Sequence, residues 1–332
     1  MKLTITKIAE MAGVSKTTVS RVLNNSGYVS SANRTRIRTI IEEHGYVPDS
    51  RAISLSRTRT EIIGLIIPET SGPFYGELLS GVEESLRDKE HFTLIMTFGN
   101  DTPLRVRERY ISIMRQKRVD GMIIFDPEVD QSTVQEVSRL SIPVVFLNRE
   151  FPDLPVHSIC VDNFRGAVLM MRHLIEHHKY RRIAFISGPA DSQDSHDRLR
   201  GYRDSIEKSG LSFDESLVFK GDFTRQRASK LFDRIVTKNV DAIFASNDEG
   251  ALGVLEAARR DSLNGRFLPV VGFDDAVWAQ FIQPPLTTVR QPMYQLGRLA
   301  GHTITESLSE KVREHVRLTL NTKLVVRRSC GC

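Results

Sequence analysis

With 332 residues, 40% of them apolar and 26% charged, the chain is too long for one ordinary domain and too rich in core-forming residues for a disordered tail. The N-terminal stretch MKLTITKIAE has no apolar signal core, no apolar run approaches the roughly 20 residues of a membrane helix, and Cys160, Cys330 and Cys332 are too few for a disulfide framework. The expectation is a cytoplasmic protein with no membrane partner. Its net charge of +5 is concentrated, since residues 1–60 carry ten Lys and Arg against four acids, the electrostatic footprint of a polyanion contact on a near-neutral body.

In the head, Ile5, Ile8, Ala9 and Ala12 recur at i, i+3, i+4 and i+7, which predicts a helix with one apolar face. Gly13 supplies freedom for a tight turn, Val14 plugs it, and Ser15 is a good N-cap for a second helix whose Val19, Val22 and Leu23 share a face. A third helix is predicted from Ser31 as cap, through an Ile37, Ile40 and Ile41 stripe, to a stop at Gly45. Three short helices with a tight turn between the first two make a helix-turn-helix over residues 1–48, the second helix being slim enough for the major groove. Ser15, Lys16, Thr17, Thr18, Ser20 and Arg21 are its candidate DNA contacts. Arg21 can offer a fork to guanine, and Thr17 a hydroxyl or methyl. Asn24, Asn25, Ser30 and Arg34 suit phosphates, which fix position and not sequence.

The block AEMAGVSKTTVSRVLNNSGYVS, together with IIGLIIP at 62–68, VVGFDD at 270–275 and LTTVRQP at 286–292, resembles LacI/GalR-type bacterial transcription regulators from end to end. The resemblance implies that residues 49–60 form a hinge that becomes helical when two copies meet over the minor groove of an operator. Leu55 then wedges into a base step, and the small Ala52 lets the two helices approach. Asp49, Arg51 and Ile53 depart from the commonest hinge pattern of Asn, an apolar residue and Arg. An acid near phosphate and a missing Arg weaken hinge contacts, which Arg51 can offset.

Beyond the hinge, apolar β-rich runs alternate with helical patterns: EIIGLIIP, FTLIMTFG, GMIIF, PVVFLN, SICVD, RIAFISG, LVFKGDF, AIFASND and PVVGFDD, separated by periodic segments such as 74–89, 104–117, 163–178, 194–208 and 225–238. Runs buried on both faces predict parallel doubly wound sheets. The expected fold is therefore an N-terminal all-α helix-turn-helix head plus an α/β body of two doubly wound parallel-sheet lobes. The resemblance makes them lobes of periplasmic-binding-protein type, within an effector-binding and dimerisation domain at 61–332. The N-lobe would span about 61–160 and 290–322, and the C-lobe about 161–289 and 323–332.

Ligands of open α/β sheets bind beyond the carboxyl ends of the strands. There stand Ser71, Pro73, Phe74 and Tyr75, then Asn148, Arg198, Phe223, Asn247 with Asp248, and Asp274 with Asp275. Amide, carboxylate and guanidinium groups beside aromatic faces are the chemistry of a small polyhydroxylated ligand. The resemblance assigns effector contacts to Phe74, Tyr75, Asn148, Arg198, Phe223, Asn247 and Asp274. Phe74 and Phe223 also suit plain core roles, and Asp275 a cap. Asn148 replaces an Asp common in sugar-responsive members, while Arg149 beside it could meet a carboxylate or phosphate. Arg227 stands where Gly is frequent.

Enzyme motifs are lacking: no GxSxG elbow, no phosphate loop and no GxGxxG after a strand. Ser195, His196 and Asp197 are consecutive, so their side chains diverge. Cys330 and Cys332 lie one residue apart with no second Cys/His pair nearby, and His177-His178 closes a helix, so neither a metal nor a cofactor is expected. The function implied is a homodimeric repressor of carbohydrate-utilisation genes. It would read a pseudo-palindromic double-stranded operator under control of a small sugar or sugar derivative. The alternatives are a corepressor-type regulator responding to a purine or phosphorylated metabolite, and a solute-binding protein.

Overall fold

The computed structural model describes residues 3–23, 26–46, 59–70, 73–87, 91–99, 101–261, 268–309 and 314–332. The chain divides into two units, Met1–Thr60 and Glu61–Cys332. The expected contacts Asn24, Asn25, Ala52 and Leu55 lie outside the described residues.

In the first unit, α1 (Ile5–Ala12) and α2 (Lys16–Leu23) meet at Gly13, whose φ of 65° is the left-handed conformation that glycine adopts without a Cβ penalty. The Thr4 hydroxyl accepts from Lys7 N at 3.3 Å, and the Ser15 hydroxyl from Thr18 N at 3.1 Å, so both helices start on side-chain caps. Helix α3 (Ser31–Glu43) lies across them, and Ile8, Val19 and Ile37 are fully buried at the centre. The cap of α3 is corrected by one residue. Ser30, extended at φ −57° and ψ 147°, accepts from Asn33 N, whereas Ser31 is already the first helical residue. The helix ends at His44, with Gly45 following at φ 56°.

The second unit carries two parallel sheets. The first runs β11-β5-β4-β3-β1-β2, built from β1 (Ile62–Ile67), β2 (Phe92–Thr97), β3 (Gly121–Ile124), β4 (Val144–Leu147), β5 (His157–Val161) and β11 (Arg317–Leu320). Alternation along β1 divides its side chains: Ile63, Leu65 and Ile67 pack with α4 (Pro73–Arg87) and α11 (Met293–Leu308). Ile66 faces the opposite layer, formed by α5 (Pro103–Arg115) and α6 (Gln131–Ser138). A strand covered on both faces must be apolar throughout, and IIGLII is.

The second sheet, β7-β6-β8-β9, is formed by β6 (Ile183–Ile186), β7 (Val218–Phe219), β8 (Ala242–Ala245) and β9 (Val270–Val271). On one face lie α7 (Asn163–Arg172) and α8 (Gln193–Lys208), with Met170, Met171 and Tyr202 buried. On the other lie α9 (Arg225–Val236) and α10 (Asp248–Asp261), with Leu231, Phe232 and Val254. Strand β10 (Thr288–Arg290) pairs antiparallel with β12 (Lys323–Val325). The chain thus leaves the first sheet after β5, returns through α11 to β11, and departs again to β12. All nine apolar runs of the body form strands.

Candidate functional site

The second helix of the head displays Lys16, Thr17 and Arg21 exposed on the face opposite buried Val19 and Val22. Ser15 and Thr18 are tied together, hydroxyl to hydroxyl at 2.9 Å, and Ser20 is half-buried. Ser30 spends its hydroxyl on the cap of α3, and Arg34 is half-buried one turn into that helix. Tyr28, 87% exposed in the α2–α3 connection, was not singled out by the sequence; a lone aromatic in a polar turn was the only signal.

In the body, a cavity of about 700 Å³ opens beyond the carboxyl ends of β1, β3, β6, β8 and β9, within the range of small-molecule sites. Six of the seven expected contacts line it: Phe74, Tyr75, Arg198, Phe223, Asn247 and Asp274. Phe74 and Tyr75 open α4 and pack edge-to-face with each other and with Phe125, at centroid separations of 5.0, 6.3 and 5.6 Å. Phe125, Asp194 and Trp278 also line the cavity but escaped the sequence reading. Asp194 had a signal, since it stands in the first turn of a helix following a strand, four residues before Arg198.

Arg198, 3% exposed, is the hub. Its Nε donates to Asn163 Oδ1 at 2.8 Å and its Nη1 to the Ser246 carbonyl at 2.5 Å, with Asp274 Oδ1 3.5 Å away. The guanidinium lies 3.9 Å over the Phe273 ring and 5.6 Å from that of Phe223. A buried charge is tolerable only when paired and hydrogen-bonded in this way. Gln291 Nε2 donates to Asp274 Oδ1 at 2.7 Å. Burial pushes the Asp274 carboxyl up to about 6 against the opposing pull of Arg198, and likewise raises Asp194. Asp248 is raised for the same reason, with Asp274 adding to it, while it accepts from Thr288 Oγ1 and Ala276 N. Asn247 accepts from Gly250 N and donates to the Phe223 carbonyl, so it caps α10 and holds Phe223 at φ 67°.

Asn148 stands behind the cavity. Its Nδ2 donates to Asp194 Oδ2 at 3.2 Å and its Oδ1 accepts from Val161 N at 3.0 Å, so it positions Asp194 across the floor. A carboxylate at 148 would instead oppose that of Asp194, which accounts for the amide. Arg149 is committed to the carbonyls of Pro127 and Val129. Asp275 pairs with Arg290 and Arg327. Arg227 serves α9 locally, its N–H bonding the Thr224 hydroxyl.

One expectation is overturned outside the cavity. Cys330 and Cys332 have a His pair beside them, because His173 and His178 approach the C-terminal tail from α7. Sequence separation hid this, the two pairs being about 150 residues apart in the chain.

Residues 4–49 match the family model described as bacterial regulatory proteins, lacI family, and residues 171–330 match one described as a periplasmic binding protein-like domain. The chain is 34% identical to the HTH-type transcriptional regulator DegA of Bacillus subtilis (strain 168), over 99% of this chain and 98% of that protein. It is also 34% identical to the HTH-type transcriptional regulator CelR of Thermobifida fusca, with 98% of each covered. Among solved structures, a CelR–cellobiose complex superposes with a TM-score of 0.75 at 32% identity, covering 98% of this chain and 99% of that one. The Lac repressor dimer bound to operator and an anti-inducer superposes over the full length of both chains at 0.86, where 23% identity speaks for the fold. A capped reading helix on a basic head, a two-sheet body with a ligand-sized cleft, and end-to-end likeness to regulators of one kind converge: the chain belongs to the LacI family and is a DNA-binding transcriptional regulator.

Proposed function

We propose that the protein is a repressor of carbohydrate-utilisation genes that binds a pseudo-palindromic operator as a homodimer and is switched by a neutral sugar or sugar derivative in the body's cleft. The division into a head at 1–48, a hinge at 49–60 and two lobes, with Lys16, Thr17 and Arg21 on bases and Leu55 as the hinge wedge, belongs to this reading. One observation carries the effector class. Seven carboxylates line the cavity (Glu69, Glu128, Asp191, Asp194, Asp248, Glu249 and Asp274) against two guanidiniums, Arg198 and Arg225. Arg198 is consumed by its network, and Arg225 is paired with Glu256. An anionic ligand would enter against that charge, whereas hydroxyl groups find acceptors and C–H faces find the rings of Phe74, Tyr75 and Trp278. The structure of the 32%-identical CelR was solved with cellobiose, which supports the same class.

The flat rings also suit a nucleobase, so purines are the second reading. A thermal-shift panel of neutral mono- and disaccharides, sugar acids, phosphosugars and purines decides between them, followed by operator-binding anisotropy with the best hit. A neutral sugar that raises the melting midpoint and changes operator affinity supports the proposal. Stabilisation by phosphosugars, sugar acids or purines alone overturns it. For the head, Arg21→Ala should weaken operator binding by about 1–3 kcal/mol and relax discrimination at one base pair, the size of one bidentate base contact.

A further inference from the structure

His173, His178, Cys330 and Cys332 present four ligand atoms within 4.8 Å of one another. The sequence makes this arrangement improbable for a regular helix, because residues five apart on an α-helix point about 140° away from each other. At this point α7 widens into a π turn, His173–His177, and His178 N bonds the His173 carbonyl at 3.3 Å, an i to i+5 bond. The wider turn sets the two imidazoles side by side, ring centroids 4.8 Å apart. Single π turns within α-helices are frequent at functional sites.

The tail supplies the other half. Gly331 holds φ at +99°, a conformation L side chains rarely adopt, and a Cβ there would lie 2.9 Å from the Tyr180 hydroxyl. That glycine lets the one-residue spacer between the cysteines curl so that both thiols face the imidazoles. Tyr180 donates to the Cys330 carbonyl at 3.0 Å and stacks on His178, holding tail and ring together.

We infer that these four side chains form a tetrahedral His₂Cys₂ zinc site that clips the C-terminal tail to the end of α7. The distances fit the ion. Zinc bonds of about 2.0 Å to nitrogen and 2.3 Å to sulfur at tetrahedral angles require N···S edges of about 3.5 Å. Three of the four N···S edges stand at 3.4 Å (His173 Nε2 to Cys330 Sγ), 3.7 Å (His173 Nε2 to Cys332 Sγ) and 3.3 Å (His178 Nε2 to Cys332 Sγ), and all four ligand atoms lie within 4.8 Å of one another. Two soft thiolates and two imidazoles in a tetrahedron select zinc over hard cations. A supporting layer is in place as well. Thr287 Oγ1, fixed by accepting from Arg327 N, points its hydroxyl at Cys330 Sγ from 3.2 Å, the contact that steadies a bound thiolate. Cys330 is fully buried and Cys332 exposed, so the ion enters from solvent, and the two thiol protons leave to solvent as it binds. All four positions are filled by protein, which makes the site structural and not catalytic. It does not depend on the identity of the effector.

The test uses the full-length protein, purified reduced and stripped by chelator. Zinc should bind at one equivalent per chain and raise the melting midpoint. Cobalt(II) should give tetrahedral visible bands with a thiolate-to-metal charge-transfer band in the near ultraviolet. Cys332→Ser, at an exposed residue, should leave the stripped protein's melting midpoint unchanged, abolish the charge transfer from that sulfur and weaken zinc by more than about 100-fold, beyond what loss of a supporting contact costs. His178→Gln should weaken zinc by a similar factor while the thiolate-to-metal band persists. Substoichiometric zinc, cobalt spectra without tetrahedral or thiolate bands, affinity unaltered in Cys332→Ser, or a Cys330–Cys332 disulfide that persists under reductant would each overturn the site.

Discussion

The two walls of the cleft are built from different materials. The wall from the first sheet is aromatic: Phe74, Tyr75 and Phe125, edge to face, with two prolines and two acids at the rim. The wall from the second sheet is a polar network centred on Arg198, reaching Asn163, Ser246, Asp274 and, through Asn163 Nδ2 at 3.1 Å, Asp194. A hydrogen-bonded network in low dielectric is pre-set and costly to disturb. A ring cluster gives area and shape with little directionality. The contrast implies that the second wall orients a ligand and the first covers it, so disturbing the two should produce effects of different kind and size.

The largest effect is expected at Arg198. Arg198→Met retains most of the volume but removes the buried cation facing Asp274, and breaking a buried pair this way costs about 3–5 kcal/mol. Chemical denaturation should record that loss, and the ligand-induced thermal shift should vanish. A stable variant that still responds to ligand would mean the second wall does not orient it.

Next comes the pH dependence of Asp274, which faces Arg198, Gln291, Asp194 and Asp248. Its carboxyl is raised to about 6 in the folded protein, so between the unfolded value near 4 and about 6 the folded state holds a proton that the unfolded state has lost. The stability contributed by this group therefore falls as pH rises through that window and is flat above it, by at most about 3 kcal/mol. Measured against Asp274→Asn from pH 4 to 7.5, wild type should lose its advantage across that interval; parallel curves would refute the assignment.

Asn148→Asp probes the joint between the walls. It would set two carboxyls where Nδ2 now donates to Asp194 at 3.2 Å. Like charges sharing a site disfavour ionisation of both. The variant should be destabilised by roughly 1–3 kcal/mol at neutral pH and recover as pH falls. A pH-independent loss would mean that only the bond to Val161 matters.

The same contrast explains what could be read in advance. The head is local: caps, stripe and turn lie within a few residues of one another, so α1 to α3 were legible and only the α3 cap shifted by one. Strands β1 to β9 were legible as continuous apolar runs, IIGLII being buried on both faces, whereas β10 to β12 are short and partly exposed and no apolar run marked them. The polar wall was legible only as separate residues after strands. That Arg198 joins Asn163 to Ser246, or that Asn148 supports Asp194 across 46 positions, is tertiary information carried by no local pattern. The His–Cys cluster is the extreme case, because it needs both a π turn and a meeting of residues 157 positions apart, His173 with Cys330. Hinge residues Ala52 and Leu55 rest on the resemblance alone.

The smallest effect is expected on the aromatic wall, and it separates covering from orienting most cleanly. Phe74→Leu keeps an apolar side chain at the start of α4 but removes edge-to-face contacts with Tyr75 and Phe125, 5.0 and 6.3 Å away. Each such pair contributes about 0.5–1.5 kcal/mol beyond its buried area. Since the half-buried Phe74 ring faces the cavity, affinity for the best stabilising ligand should fall about fivefold, a loss of about 1 kcal/mol, with only a small drop in the melting midpoint. Titration calorimetry on the variant should show a weaker complex of unchanged stoichiometry that still alters operator binding at saturation. If the switch failed at saturating ligand, the aromatic wall would be part of the device that links the cleft to DNA, and the division of labour between the walls would have to be redrawn.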